Sequence, residues 1–135
     1  MLRIFQKISP VWSLRLGIGI TYLVSGTDLI LRPSAWHWAL PYWLRQIITA
    51  VVPLNTYLGL QGAVELVMAI CLLVWFMKPE IIRWVAFIST LEFTAILVLA
   101  FIPYSETNFL ITFRDVGLLG AALTLYRLLL KENGY

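Results

Sequence analysis

Four apolar runs, at roughly 11 to 31, 54 to 77, 80 to 102 and 108 to 130, fill most of the chain. Six prolines, Pro10, Pro33, Pro41, Pro53, Pro79 and Pro103, fall at the edges of these runs or between them. Proline cannot continue a helix but suits its first turn or the residues just past its end, so the prolines read as divisions between helices. Each run is close to the ~20 residues that an α-helix needs to cross about 30 Å of hydrocarbon. The pattern therefore predicts an all-α, polytopic membrane protein with four transmembrane helices. The connections "MKPE" at 77 to 80 and "PYSET" at 103 to 107 are short. They are expected to make the second, third and fourth helices antiparallel neighbours in one bundle, and residues 1–135 to form a single transmembrane four-helix domain.

Only the link between the first two runs has room for further structure. Its segment "PYWLRQIITAVV" puts Trp43, Leu44, Ile47, Ile48, Val51 and Val52 on one side and Arg45, Gln46 and Thr49 on the other. That period suits an amphipathic helix lying flat in the membrane interface. The commoner use of such a helix is to anchor two spans. The functional use would be a lid over a site in the bundle, with Trp36, Trp38 and Trp43 as its interfacial aromatics.

Composition decides the solvent. With 61% hydrophobic residues, 13% charged and a mean hydropathy of +0.87, there is too little polar surface to cover a water-soluble ball of this size. The net charge of +3 sits at segment ends and offers no basic face for nucleic acid. Arg3, Lys7, Lys78, Arg83, Arg127 and Lys131 share one side, against Arg32 and Arg45 on the other. An excess of lysine and arginine marks the cytoplasmic side, so both termini are expected there, in the cytoplasmic (inner) membrane of a prokaryote. Trp12, Trp75 and Trp84 would mark the inner interface and Trp36, Trp38 and Trp43 the outer one. The basic start resembles a signal peptide, but its apolar run is long and no A-x-A-like cleavage site ends it, so the first helix is expected to be retained. A single cysteine, Cys71, excludes an intrachain disulfide, a CxxC pair and a cysteine-based metal site.

The spans also contain Arg15, Asp28, Glu65, Glu92, Arg114 and Asp115. At about 2.5–3.5 kcal/mol per charge near a helix centre, leaving several against lipid would cost on the order of 10 kcal/mol, so they should face one another. Arg114 shares a face with Gly117, Ala121 and Thr124, small residues that admit a neighbouring helix, and is expected to point inward. Tyr57, Gln61 and Glu65 recur every four residues, and Ser89 lies one turn before Glu92. A buried polar cluster of Asp28, Gln61, Glu65, Glu92, Arg114 and Asp115 is the result. Four acids against one arginine leave it negative unless an acid, Glu65 or Glu92, carries a proton. A register-fixing polar network explains the same residues without any ligand. On the first helix, Arg15, Gly19, Tyr22 and Gly26 line one face and Gly17, Thr21 and Asp28 nearly the opposite one. Arg15 and Tyr22 are thus candidates for a site or a partner contact, with snorkelling to the interface as the alternative for Arg15.

Three stretches resemble the DoxX-like family of small four-helix membrane proteins: "LRLGIGITYLVSGTDLI", "GAVELVMAICLLVWF" and "FRDVGLLGAALTLY". The matching positions are Arg15, Gly17 and Gly26, then Gly62 and Glu65, then Arg114 with Asp115, Gly117 and Gly120. Asp28 and Leu29 stand where the family often has a lysine, so the resemblance carries no anionic ligand to that place. It implies a subunit of the kind linked to thiosulfate:quinone oxidoreductase or to other redox complexes, which makes a quinone the candidate cofactor. No cofactor motif is evident in the chain. His37 is the sole histidine, which excludes haem held by two histidines of one chain, and neither a phosphate loop, a supported serine nucleophile nor a metal cluster is present. Stand-alone catalysis is not expected. The readings, in order, are a non-catalytic membrane subunit or anchor; a quinone-linked subunit relaying protons through its carboxylates; and a binder or carrier of a small amphiphile or lipid. The expected partners are membrane lipids and either further copies of the chain or a larger membrane complex.

Overall fold

The computed structural model describes the backbone of residues 9–100 and 109–132 and the side chains of 9–99 and 114–131. The basic start at Arg3 and Lys7 and the "PYSET" turn lie outside the described residues. Helix α1 (Pro10–Leu31) opens with proline in its first turn and ends before Arg32, whose φ of −137° and ψ of 53° leave the helical region. Pro33 follows, and the residue before a proline is pushed out of the α region. A 3-10 helix (Pro33–Ala39) and α2 (Tyr42–Thr49) come next, followed by α3 (Leu54–Leu73), α4 (Pro79–Ala100) and α5 (Phe109–Glu132). Helices α2 and α3 each start directly after a proline held extended, Pro41 at ψ 150° and Pro53 at ψ 135°.

Three of these helices are long and apolar enough to cross a membrane: Pro10–Leu31, Leu54–Leu73 and the Pro79–Leu99 stretch of α4. Only 33%, 33% and 28% of their apolar windows are buried inside the protein, so most of each helix faces outward. Those outward faces carry Val24, Val67, Leu91 and Val98, each more than half exposed. Apolar surface of that extent is excluded from water, and the chain is in this sense an integral membrane protein. Helix α5 coincides with the fourth expected segment.

Two boundaries differ from expectation. The second apolar run continues to residue 77, but α3 stops at Leu73 and Val74 turns extended at ψ 120°. Trp75 and Phe76, both exposed, keep the following turn apolar, so hydropathy alone cannot mark where the helix ends. The 33 to 39 segment, to which the residue pattern assigns no element, is a 3-10 helix.

Helices α1 and α3 pair most closely, and they run antiparallel: Arg15 meets Leu72 whereas Gly26 meets Gly62. A Cβ added to Gly26 would lie 2.7 Å from the Gly62 carbonyl oxygen, and one on Gly62 equally close to the Gly26 oxygen. Only glycine permits so near a backbone approach. Helix α4 packs mainly on α5, and α1 joins the two pairs by touching α5. Although the link between α3 and α4 is short, these two touch much less, contrary to the close pairing expected from it. Glycine contact between α1 and α3 outweighs proximity in sequence. Toward the 74 to 78 turn the bundle is filled by an apolar core that includes Ile18, Leu72, Ile82, Ala86, Leu125 and Leu129, all nearly inaccessible. Cys71 packs against that core.

Candidate functional site

The other half of the bundle is hollow. A cavity of about 310 Å³ lies among the second half of α1, the first half of α3, the second half of α4 and the Arg114–Leu118 stretch of α5, with the 3-10 helix and α2 closing it from the side of the 33 to 52 link. Helical spacing explains which side chains enter. Residues three or four apart share one face, so α1 contributes Tyr22, Ser25 and Leu29, α3 contributes Tyr57, Gln61 and Glu65, and α4 contributes Glu92, Ile96 and Leu99. Trp36, Trp38, Leu40, Pro41 and Leu44 come from the covering segment.

The two glutamates are bonded to neutral groups. Glu92 accepts from the Tyr22 hydroxyl at 2.7 Å and, through its other oxygen, from the Gln61 amide. Glu65, 7% exposed, accepts from the Ser25 hydroxyl. The Gly26–Gly62 crossing brings the two backbones together one residue from Ser25 and one turn from Glu65, which lets so short a side chain as serine reach the carboxylate. The Tyr22 ring stacks on Phe93 with centroids 5.6 Å apart, fixing the hydroxyl that Glu92 uses. Both helices of the α1 and α3 pair thus meet α4 of the other pair through Tyr22, Gln61 and Glu92.

Asp115 is 3% exposed, and it accepts from its neighbour Arg114 at 3.1 Å from Nε and 3.0 Å from Nη2. This reverses the expected orientation of α5. The Arg114 side chain is 54% exposed, and Gly117 and Gly120 have nothing within 4 Å of an added Cβ. The buried face is instead that of Asp115, Ala122, Leu125 and Leu129. Small residues permit a close helix contact but do not create one, and the larger apolar side chains of α5 win the interior. Arg114 still reaches the cavity wall.

Of the expected cluster, Gln61, Glu65, Glu92, Arg114 and Asp115 share this cavity, but Asp28 does not line it. Asp28 accepts from Arg32 and, at 2.8 Å, from the Trp36 indole. Its charge is answered one turn along the chain, so it fastens the 3-10 helix to α1. Arg15 turns into the bundle and, among the described residues, forms no ion pair. It is buried, donates to the Leu72 and Val74 carbonyls at 2.8 and 2.6 Å, and lies 4.0 Å from the Trp12 ring centre. Leu72 lies in the last turn of α3, whose carbonyls have no helical donor ahead of them, and the Val74 carbonyl just past it also accepts from the Met77 N–H at 3.3 Å. Both Arg15 and Tyr22 therefore face their own bundle rather than a partner. Among the aromatics of the expected lid, Trp36 and Trp38 line the cavity and stack at 6.0 Å, whereas Trp43 is exposed and Leu44 takes the inward position. His37 lies 2.7 Å from the Asn55 side chain, a second tie that holds the 3-10 helix to α3.

Ser25 and Phe93 are site residues that the sequence pattern did not single out. Ser25 stands one turn after Tyr22 and one turn before Leu29, a spacing that would have placed it on the Tyr22 face. Phe93 reads as any apolar span residue. Among the described residues no group of three His, Cys, Asp or Glu side chains could hold a metal ion. What the arrangement offers is hydrogen-bond acceptors and aromatic faces within apolar walls. No protein-family model, no curated protein and no solved structure matches the chain.

Proposed function

We propose that this chain is a four-span membrane protein of the DoxX-like type, crossing with α1, α3, α4 and α5, that binds a small amphiphile in the cavity beneath the 33 to 52 segment. One observation carries the reading: a cavity of about 310 Å³, largely apolar, with Gln61, Glu65, Glu92, Arg114 and Asp115 at its wall. Ligand sites commonly have this build, a hydrophobic container of ~300–1,000 Å³ with a few placed polar groups. A purely structural polar network needs no space beside it, and a helix anchor needs no room under the link. The cavity thus favours the binder over the subunit or anchor that the residue pattern alone placed first. Association with further copies or with a larger complex is compatible with it, since the outward helix faces are largely apolar.

The test is purification of the full chain in lipid nanodiscs, followed by native mass spectrometry of what it retains. A small molecule should stay bound to the wild type and be absent from Ala95→Trp, which places a large ring where Ala95 lines the cavity, while circular dichroism shows the helices intact. Equal retention by both proteins would place any bound molecule elsewhere and remove the reading.

A further inference from the structure

The charge on the cavity wall is unbalanced, and this points to the kind of molecule that fills it; the step rests on the cavity being a ligand site. Among the described residues the ion pairs are Arg32 with Asp28, outside the cavity, and Arg114 with Asp115, at its wall. Arg114, the one cation among the lining residues, pairs with Asp115 and also acts on Glu65 at longer range, so three acids face a single positive charge and neither glutamate has an ion pair among the described residues. Their partners, Ser25, Tyr22 and Gln61, are neutral donors, which fill acceptor positions but return no charge. A buried charge without a counter-charge is costly in low dielectric, and more so in a membrane.

The same walls carry Trp36, Trp38 and Tyr57 beside Tyr22. Aromatic faces attract cations through the negative face of the ring, most strongly where water is excluded. Carboxylates and ring faces select for the same sign. An anion would find only Arg114, already engaged by Asp115. A neutral molecule would leave both glutamates as they are. We infer that the cavity takes a hydrophobic cation, an amine or quaternary ammonium with an apolar substituent, whose charge sits against Glu65 and Glu92 and whose apolar part lies along Leu40, Leu44 and Ile96.

Three probes of similar shape separate the cases on the full chain in nanodiscs: phenethyltrimethylammonium, its neutral carbon isostere 3,3-dimethylbutylbenzene, and the anion 3-phenylpropanoate. Saturation-transfer NMR reads binding, and the part lost in Ala95→Trp is the part in the cavity. The ammonium should bind at least about tenfold more tightly than the isostere. Glu65→Gln and Glu92→Gln should each weaken it about tenfold and leave the isostere unchanged. Trp38→Leu, on the half-exposed covering segment and outside the helix packing, should weaken the ammonium by about threefold and serves if a glutamine variant does not fold. Equal binding of ammonium and isostere, the result if each glutamate holds a proton and the occupant is a neutral ring such as a quinone, overturns the cation and leaves the cavity reading standing. So does tighter binding of the anion. Absence of cavity-dependent binding by all three probes overturns both.

Discussion

Gly26 and Gly62 hold the site together by what they lack. Their backbones nearly touch, since a Cβ on either would come within 2.7 Å of the other's carbonyl oxygen, and this contact sets the depth at which Ser25 meets Glu65. Gly17, on the same helix, has open space where its Cβ would be. The two glycines therefore separate a packing role from a propensity effect. Gly26→Ala should cost roughly 1–3 kcal/mol, the usual range for forcing volume into a packed contact. Gly17→Ala should cost nothing and gain up to about 1 kcal/mol from helix propensity. Thermal melts of the two variants in one detergent check this, and equal shifts would mean that the crossing does not constrain the backbone. Arg15 works at the same scale in the opposite way, by what it brings: its guanidinium donates to the Leu72 and Val74 carbonyls where α3 ends.

At the scale of elements, the 3-10 helix covers the cavity together with the start of α2, and side-chain bonds tie the 3-10 helix to α1 and α3. Trp36 bonds Asp28 of α1 and His37 pairs with Asn55 of α3. Asp28→Asn should weaken the α1 tie by removing the charge that the Trp36 and Arg32 donors share, since hydrogen bonds to a charged group are stronger than those to a neutral one. Faster amide exchange across residues 33–40, with exchange in α1 and α3 unchanged, is the expected result; unchanged exchange in the covering segment would show that apolar contacts alone hold it. The elements differ in how legible they were. Apolar runs bounded by prolines marked all four long helices and α2, because hydropathy and proline act locally. The 3-10 helix escaped because its seven residues show no period and its order comes from Asp28 and Asn55, which lie outside it. The site was legible where spacing by four on one helix sufficed, as for Tyr57, Gln61 and Glu65. It was not legible at α5, where facing partners rather than α5's own pattern decide between Arg114 and Asp115.

Over the whole molecule, the solid half and the hollow half lie at opposite ends of the helices, and this makes orientation a statement about access. The solid half adjoins the 74 to 78 turn with Lys78, while the cavity lies beneath the link that carries Arg32 and Arg45. If the richer set of lysine and arginine lies in the cytoplasm, as the positive-inside bias expects, the cavity belongs to the outer leaflet, and the proposed occupant would enter from there. Helix α5 is the decisive element, because it supplies Arg114 and Asp115 to the wall and must cross for the four-span arrangement to hold. Single cysteines on a Cys71→Ser background report this. Ser34→Cys should react with a membrane-impermeant maleimide in intact cells, and Lys78→Cys and Lys131→Cys only after permeabilisation, all three positions being exposed on the protein itself. If α4 crosses and α5 does not, Lys131→Cys reacts together with Ser34→Cys. That pattern would remove the fourth span and leave Arg114 and Asp115 without a membrane-embedded site to line. Reversed labelling of the Ser34 and Lys78 variants would keep the bundle but turn the cavity toward the cytoplasmic leaflet, so that the source of its ligand lies inside the cell.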